Sequence, residues 1–363
     1  MCTTIPQIHG FRAERAEAFA ESLLQILNHA GTALMTSIGH RVGLFDGLAA
    51  LSRVTSEELA AHVNCNERYV REWLAAMTVS GIVLYDPVEK TYDLPDEHAA
   101  FLTRAATPDN LAVLAQYVAV LGGVEDEIVE CFRNGGGVPY ERFHRFHEVM
   151  AEDSGQAVDS VLLEAVLPLV PDLPARLRLG IDVLDVGCGS GRAMIRLAEQ
   201  FPQSRFVGYD FAQEAIARAR AEAESRGLHN VRFEVRDAAA LDEHRSFDLV
   251  TTFDAIHDQA HPDRVLAAIR AALKPGGVYL MQDIAGSSRL EKNLDHPLGP
   301  IFYAVSCMHC MTVSLAAGGE GLGTMWGEEK ALAMLAEAGF EPVSVHQIEG
   351  DIQNNYYVAR PPA

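Results

Sequence analysis

The sequence is poor in positive charge. Its 363 residues carry 29 lysines and arginines against 50 aspartates and glutamates, a net charge of −21. Such a chain repels phosphate backbones instead of steering them in, so no nucleic-acid partner is expected. Cysteine is scarce as well. Six in a chain of this length do not make a disulfide framework, which points to a reducing, cytoplasmic compartment. Nor is there a membrane-length apolar run: the longest one read here, Leu111–Val124, is too short and is interrupted by Gln116. Met1–Glu17 lacks the apolar core of a secretion signal and carries alternating charges. What is left is 48 % hydrophobic residues, enough for a sizeable core, in a length that favours two domains.

What is present is concentrated in Val183–Arg192, Val-Leu-Asp-Val-Gly-Cys-Gly-Ser-Gly-Arg. An apolar run ends in glycines at every second position, and a helical pattern follows at once. That is a strand, a tight turn and a helix N-terminus, which can receive a negatively charged or hydrogen-bonding group. A dinucleotide fingerprint would need its last glycine at the sixth position, where this chain has Arg192. That spacing disfavours the rival class of NAD-dependent dehydrogenase. Downstream, Arg205–Phe211 reads as a strand ending in Asp210, close to the spacing that places a carboxylate on ribose hydroxyls. Val231–Ala238 is a third strand ending in Asp237, suited to an adenine amino group. Phe247–Phe253 and Val278–Ile284 are further strands, separated by a helix that stops at Lys274-Pro275-Gly276-Gly277.

In order and type these landmarks resemble the class I S-adenosylmethionine (SAM) methyltransferases, with Asp185-x-Gly187-x-Gly189-x-Gly191 as their motif I. The resemblance implies an α/β, Rossmann-like seven-stranded domain over 176–363. It also implies SAM as cofactor, held by Asp185, Gly187, Gly189, Gly191, Asp210, Phe211, Asp237, Ala238, Phe253 and Asp254. Residues 1–104 have a separate, mainly α logic: apolar helices over Leu23–Leu51 interrupted by Gly39, Gly43 and Gly47, a capped helix from Thr55, a helix Glu67–Val79, and a hairpin. This is a winged helix-turn-helix. Its candidate recognition helix holds two arginines and two glutamates, and residues 1–104 count 8 basic against 13 acidic residues. A DNA reader should be basic there, so dimerisation and pocket lining are the preferred roles. A SAM-sensing transcriptional regulator is the alternative. The combination resembles small-molecule O-methyltransferases and actinobacterial winged-helix methyltransferases, whose acceptor the resemblance does not supply.

Residues 105–175 read as a helical linker contributing to the pocket, broken by a loop at Asn134–Tyr140. The helix after it, from Phe143 to Met150, resembles the Phe-Asn-x-x-Met helix of those enzymes. That match implies acceptor contacts from Tyr140, Phe146, His147 and Met150, with His147 in place of asparagine; packing into a core is the plain alternative. After Phe247–Phe253 the chain reads Asp254-Ala255-Ile256-His257-Asp258-Gln259. The family has a His-Asp pair here, which makes His257 a candidate general base with Asp258 beside it. Gln259 replaces the family's aromatic residue, and other methyltransferases carry an unused histidine at this place. An insertion, about 286–326, holds Cys307 and Cys310, which at helical spacing share a face. Core packing, a zinc site lacking its second ligand pair, and a soft site for a thiol or metalloid acceptor all remain open; no metal is expected. The glycine-rich stretch 318–323 reads as a mobile lid. Asp351–Val358 reads as a closing antiparallel strand, at whose start Asn354 and Asn355 either point into the acceptor cavity or form the hairpin turn, the preferred reading.

Overall fold

The computed structural model describes residues 10–362, without the side chains of 157–159. The first nine residues of the leader reading lie outside the described residues. By contact the chain divides into two compact units, Met1–Ala119 and Val120–Ala363, where the sequence reading had three segments.

The first unit runs α1 (Ala13–Arg41), α2 (Leu44–Leu51), α3 (Ser56–His62), α4 (Glu67–Val79), β1 (Leu84–Asp86), β2 (Thr91–Asp93) and α5 (Asp96–Leu102). Thr55 and Glu58 form a reciprocal capping box that starts α3, and the Asn66 side chain accepts from Arg68 N to start α4. The buried stripe of α4 is Val70, Trp73, Leu74 and Met77, as its spacing predicts. Of the three glycines read as interruptions only Gly43 breaks a helix, in the left-handed region between α1 and α2. Gly39 stays inside α1 for another reason: a Cβ there would lie 2.4 Å from the Trp73 ring, whose indole N–H donates to Met35 O at 2.8 Å. β1 and β2 pair antiparallel as the wing. Along α1, Phe19, Leu24, Ile26 and Leu27 are more than half exposed.

The division falls within α6 (Ala115–Gly122). Beyond it come α7 (Glu125–Asn134), α8 (Phe146–Val161) and α9 (Leu173–Leu179). An α/β alternation follows: β3 (Asp182–Val186), α10 (Arg192–Gln200), β4 (Arg205–Asp210), α11 (Gln213–Ser225), β5 (Val231–Val235), β6 (Phe247–Phe253), α12 (Pro262–Ala272) and β7 (Leu273–Ile284). The insertion supplies α13 (Gly299–Val305) and α14 (Met311–Ala316), and α15 (Gly327–Glu337), β8 (Val343–His346) and β9 (Asn354–Ala359) close the unit. The sheet order is β5-β4-β3-β6-β7-β9-β8, with β9 antiparallel to both neighbours. Its strands are apolar on both faces because helices cover both: Val183, Leu249, Val278 and Leu280 face one core, Leu184, Val250, Tyr279 and Met281 the other. The order reverses between β3 and β6, and the crevice at their carboxyl ends is where such a sheet takes a ligand.

Three local expectations are corrected. The helix read from Phe143 begins only at Phe146, because Tyr140–Arg142 is a 3-10 turn and Arg145 adopts φ 67°. Asn354 and Asn355 do not turn; they open β9 opposite Ile284 and Asp283 and are buried. Between α13 and α14, Ser306–Cys310 is a π turn, so Cys307 and Cys310 do not share an α-helical face: Cys310 is buried and Cys307 half-buried. The joined helix Gly299–Ala316 is long and apolar enough by composition to cross a membrane, a stretch the sequence reading passed over. Yet its buried residues include Ser306, His309, Thr312 and Ser314, the pattern of a helix facing a polar site.

Candidate functional site

The glycine turn after β3 is built by steric need. Gly187, Gly189 and Gly191 have φ of 75°, 51° and 75°. A Cβ on Gly187 would meet Ala255 at 2.5 Å and one on Gly191 would meet the Phe233 ring at 2.4 Å, whereas one on Gly189 meets nothing within 4 Å. So the outer two glycines let the turn pack, and the middle one faces open space. Gly187 N and Cys188 N donate to Tyr209 O, and Gly189 N donates to the Asp210 carboxylate at 2.8 Å. Asp210 accepts a second bond from Ala212 N. Burial raises its pKa despite those two donors.

Two openings are lined by residues expected at the site, and the first includes this turn. A narrow cleft of about 110 Å³ is lined by Asp185, Gly187, Gly189, Phe253 and Asp254, with His147 and Met150 of α8 across from them. Burial drives both carboxyl groups up, Asp185 to about 7 and Asp254 to about 8. Asp185 accepts from the Thr251 hydroxyl at 2.7 Å, and Asp254 Oδ2 accepts from Gln282; Asp254 Oδ1 is buried with no partner among the described residues. Arg192 and Arg218 border the same cleft. Acids and guanidiniums together are the lining that a zwitterionic amino-acid group needs. The second opening, about 490 Å³, is lined by Tyr140, Phe211, Asp237 and Asp258, among others. Asp237 caps the short turn Ala238–Ala240 by accepting from Ala239 N. Ala238 is buried beneath it.

Deeper in lies a packed polar cluster. His257 is 5 % exposed, and its Nδ1 lies 2.7 Å from Asp283 Oδ1. The same oxygen accepts from the Trp326 indole at 2.9 Å and from Ile284 N. The hydrogen-bond partner of His257 is therefore Asp283, at the end of β7, and not its chain neighbour Asp258. Burial opposes charge on His257, but Asp283 and the nearby Cys310 sulfur outweigh it and hold its pKa well above the ordinary value. Burial raises Asp258 to about 6. The Thr324 hydroxyl donates to Cys310 Sγ at 3.2 Å, and His309 Nδ1 lies 3.6 Å from that sulfur.

An aromatic group encloses the cluster. His309 stacks on Phe146 with ring centroids 3.4 Å apart, and Tyr140 meets Phe146, Phe211 and His309 edge-on. Tyr140 Oη and His147 Nδ1 are 3.1 Å apart. Burial pushes the Tyr140 phenol up and the His147 and His309 imidazoles down, so all three are neutral near pH 7.

Of the site residues expected from sequence, Asp185, Gly187, Gly189, Phe253, Asp254, His147 and Met150 line the narrow cleft, and Tyr140, Phe211, Asp237 and Asp258 line the second opening. Asp210 holds the turn through Gly189 N, while His257, Phe146 and Cys310 lie in the buried clusters. Gly191 packs inward on Phe233, Ala238 is buried, and Cys307 is half-buried. Sequence reasoning missed Asp283, Trp326 and His309. A polar Gln-Asp pair closing an otherwise apolar strand, Gln282-Asp283, was the signal available for the first.

Comparison with known proteins agrees with this geometry. Residues 30–104 match the Rv2258c-like winged HTH domain, and residues 177–339 match a methyltransferase domain family. A trans-aconitate 2-methyltransferase of Deinococcus radiodurans is 35 % identical over 114 residues, 31 % of this chain and 40 % of that protein. The chain spans about two fifths of the length of the curated relatives it matches. Among solved structures, human N-acetylserotonin methyltransferase in complex with SAM aligns with TM-score 0.68 and 16 % identity, covering 100 % of both chains. An O-methyltransferase family protein from Burkholderia thailandensis aligns with TM-score 0.65 and 17 % identity, covering 94 % of this chain and 98 % of that one.

Proposed function

We propose that this chain, a winged helix-turn-helix domain followed by a methyltransferase domain, transfers a methyl group from SAM to a small-molecule acceptor, with a hydroxyl as the preferred acceptor atom. The observation that carries the reading is the buried chain Trp326–Asp283–His257, whose histidine follows three residues after Asp254 of the glycine-turn cleft. When bound, SAM supplies an electrophilic methyl on a sulfonium. The narrow cleft is too small for the whole cofactor, and its orphaned Asp254 Oδ1 suits an ammonium group. Asp185, Phe253, Asp254 and the turn Gly187–Gly191 would hold the methionine end, Asp210 the ribose hydroxyls, and Phe211, Asp237 and Ala238 the adenine.

On the acceptor side, His257 takes a proton from the hydroxyl while Asp283, fixed by Trp326, orients the ring and stabilises its charged form. Tyr140, Phe146, His147 and Met150 shape the acceptor's surroundings and exclude water, which an in-line displacement requires. A second reading rests on Cys310, whose sulfur lies against both His309 and Thr324: a thiol or metalloid acceptor approached through the Cys307–Cys310 turn. The regulator reading loses support from α4, where Arg68 pairs with Glu72 and Arg71 with Glu67, leaving no surplus charge for phosphates. The exposed apolar residues of α1 support a homodimer built on the first unit; Leu24→Glu with Leu27→Glu is expected to give a monomer by light scattering.

The test is calorimetric titration with S-adenosylhomocysteine (SAH), followed by assays of wild type, His257→Ala and Cys310→Ser against phenols, thiols and arsenite. Binding of SAH, with phenol methylation lost only in His257→Ala, is the expected outcome. Tighter binding of NAD than of SAH sinks the reading. Activity on thiols or arsenite that needs Cys310 but not His257 replaces the hydroxyl by the soft acceptor.

A further inference from the structure

The outer groove between α10 and α11 shares Ser190, Arg192 and Arg218 with the cofactor cleft, but Arg196, Glu222 and Arg226 have no role in the function proposed above. It encloses about 600 Å³ and is lined by Arg192, Arg196, Arg218 and Arg226 against a single carboxylate, Glu222. On a chain of net charge −21 these four arginines outnumber the carboxylates that pair with them among the described residues, Glu148, Glu199 and Glu222. Helical spacing builds the groove: Arg192 and Arg196 stand one turn apart on α10, Arg218 and Glu222 one turn apart on α11, and Arg226 follows as the C-cap of α11.

The four guanidiniums are not equally satisfied. Arg226 is held firmly, 2.8 Å from Glu199 and 2.6 Å from Glu222. Arg196 reaches Glu199 only at 4.0 Å, and Arg218 reaches Glu148 only at 3.8 Å. Arg196 Nε is buried and has no hydrogen-bond partner among the described residues. A buried N–H without an acceptor is a standing penalty that an incoming oxyanion would remove. Guanidinium forks match phosphate oxygens in pairs, and several converging forks suit an anion of more than one charge.

We propose that this groove binds the multiply charged phosphate group of a small molecule, at a site separate from the cofactor cleft and anchored on Arg196 and Arg226. Arg192 and Arg218 border both openings, whereas Arg196 and Arg226 border only the groove. That difference makes the two sites separable by mutation.

The experiment is calorimetric titration of the full chain with inorganic pyrophosphate and, in a second arm, with ADP, at constant ionic strength. Saturable binding with Kd below about 1 mM is expected. Arg196→Gln with Arg226→Gln should weaken it by about tenfold or more while SAH affinity stays within about twofold. Arg196→Lys, which keeps the charge and loses the fork, should fall between, and it serves if the double variant does not fold. ADP binding tighter than pyrophosphate assigns a nucleotide; equal binding assigns the bare phosphate group. Absence of saturation, or binding that survives the arginine substitutions, overturns the proposal. One-for-one displacement of pyrophosphate by SAH overturns it as well, since the arginines would then hold the cofactor's carboxylate. Failure of SAH to bind at all strikes the methyltransferase reading and leaves the pyrophosphate result standing.

Discussion

Two openings of the second unit carry opposite charge. The one that holds Tyr140 and Phe211 is lined by Glu141, Asp237 and Asp258, with no lysine or arginine on its lining; the groove between α10 and α11 has four arginines and one glutamate. Both belong to a chain whose net charge is −21. Net charge therefore governs the averaged field seen from a distance, which sets the expectation against nucleic acid, and says little about a pocket a few ångströms wide. The openings differ in construction too. The acidic one draws on residues near 140, 211, 237, 258 and 313, brought together by the sheet and the insertion, whereas the basic one comes from two consecutive helices.

The largest effect that would sharpen this contrast is on turnover. His257→Ala should lower methylation of a phenolic acceptor by about 10²–10⁴-fold, and Arg226→Gln, in the basic groove, should leave it unchanged. Asp283→Asn should cost nearly as much as His257→Ala and should also move the pH profile. The raised pKa of His257 favours its protonated form, so activity in the wild type rises with pH as the base form appears. Without the Asp283 charge the rising limb should move to lower pH, at a reduced maximum. A profile that does not move would mean that Asp283 does not set the charge of His257.

The contrast also explains what could be read from the sequence. The glycine turn, the strand ending in Asp210 and the apolar stripe of α4 are local patterns, and each stands where its spacing puts it, whereas the strand read as ending in Asp237 stops at Val235 and Asp237 caps the turn that follows. Asp283 was invisible as a partner of His257 because 26 residues separate them, and only the parallel pairing of β6 with β7 makes them neighbours. The same holds for Trp326. The π turn at Ser306–Cys310 has no distinct residue pattern, which is why Cys307 and Cys310 were assigned one face. The basic groove is the opposite case. Arg192 and Arg196 are four residues apart in the sequence, and Arg218, Glu222 and Arg226 follow the same spacing, so its lining is a local pattern on each helix.

A smaller effect is expected on cofactor affinity. If Asp237 receives the adenine amino group, Asp237→Asn should weaken SAH binding by about tenfold, the scale of one hydrogen bond to a charged group, or roughly 1.5 kcal/mol. Arg196→Gln should not weaken it. Equal losses in both variants would erase the distinction between the openings and would favour one continuous site for the cofactor.

The smallest effect separates SAM from SAH, which differ by one positive charge at sulfur. Three buried carboxyl groups line the two openings assigned to the cofactor: Asp258, with a pKa of about 6, in the acidic one, and Asp185 and Asp254, at about 7 and about 8, in the narrow cleft, each raised chiefly by burial. Below these values the groups are neutral, and a cation gains little from them. Above them they are charged and favour a cation, which in turn draws their pKa down. The preference for SAM over SAH should therefore grow by about three- to tenfold, or roughly 0.7–1.4 kcal/mol, between about pH 5.5 and 8.5. Asp258→Asn should remove the part of the rise near pH 6, and Arg196→Gln should remove none of it. A preference flat with pH would show that the sulfonium binds away from these carboxylates, and the acid-lined opening would then owe its charge to something other than the methyl donor.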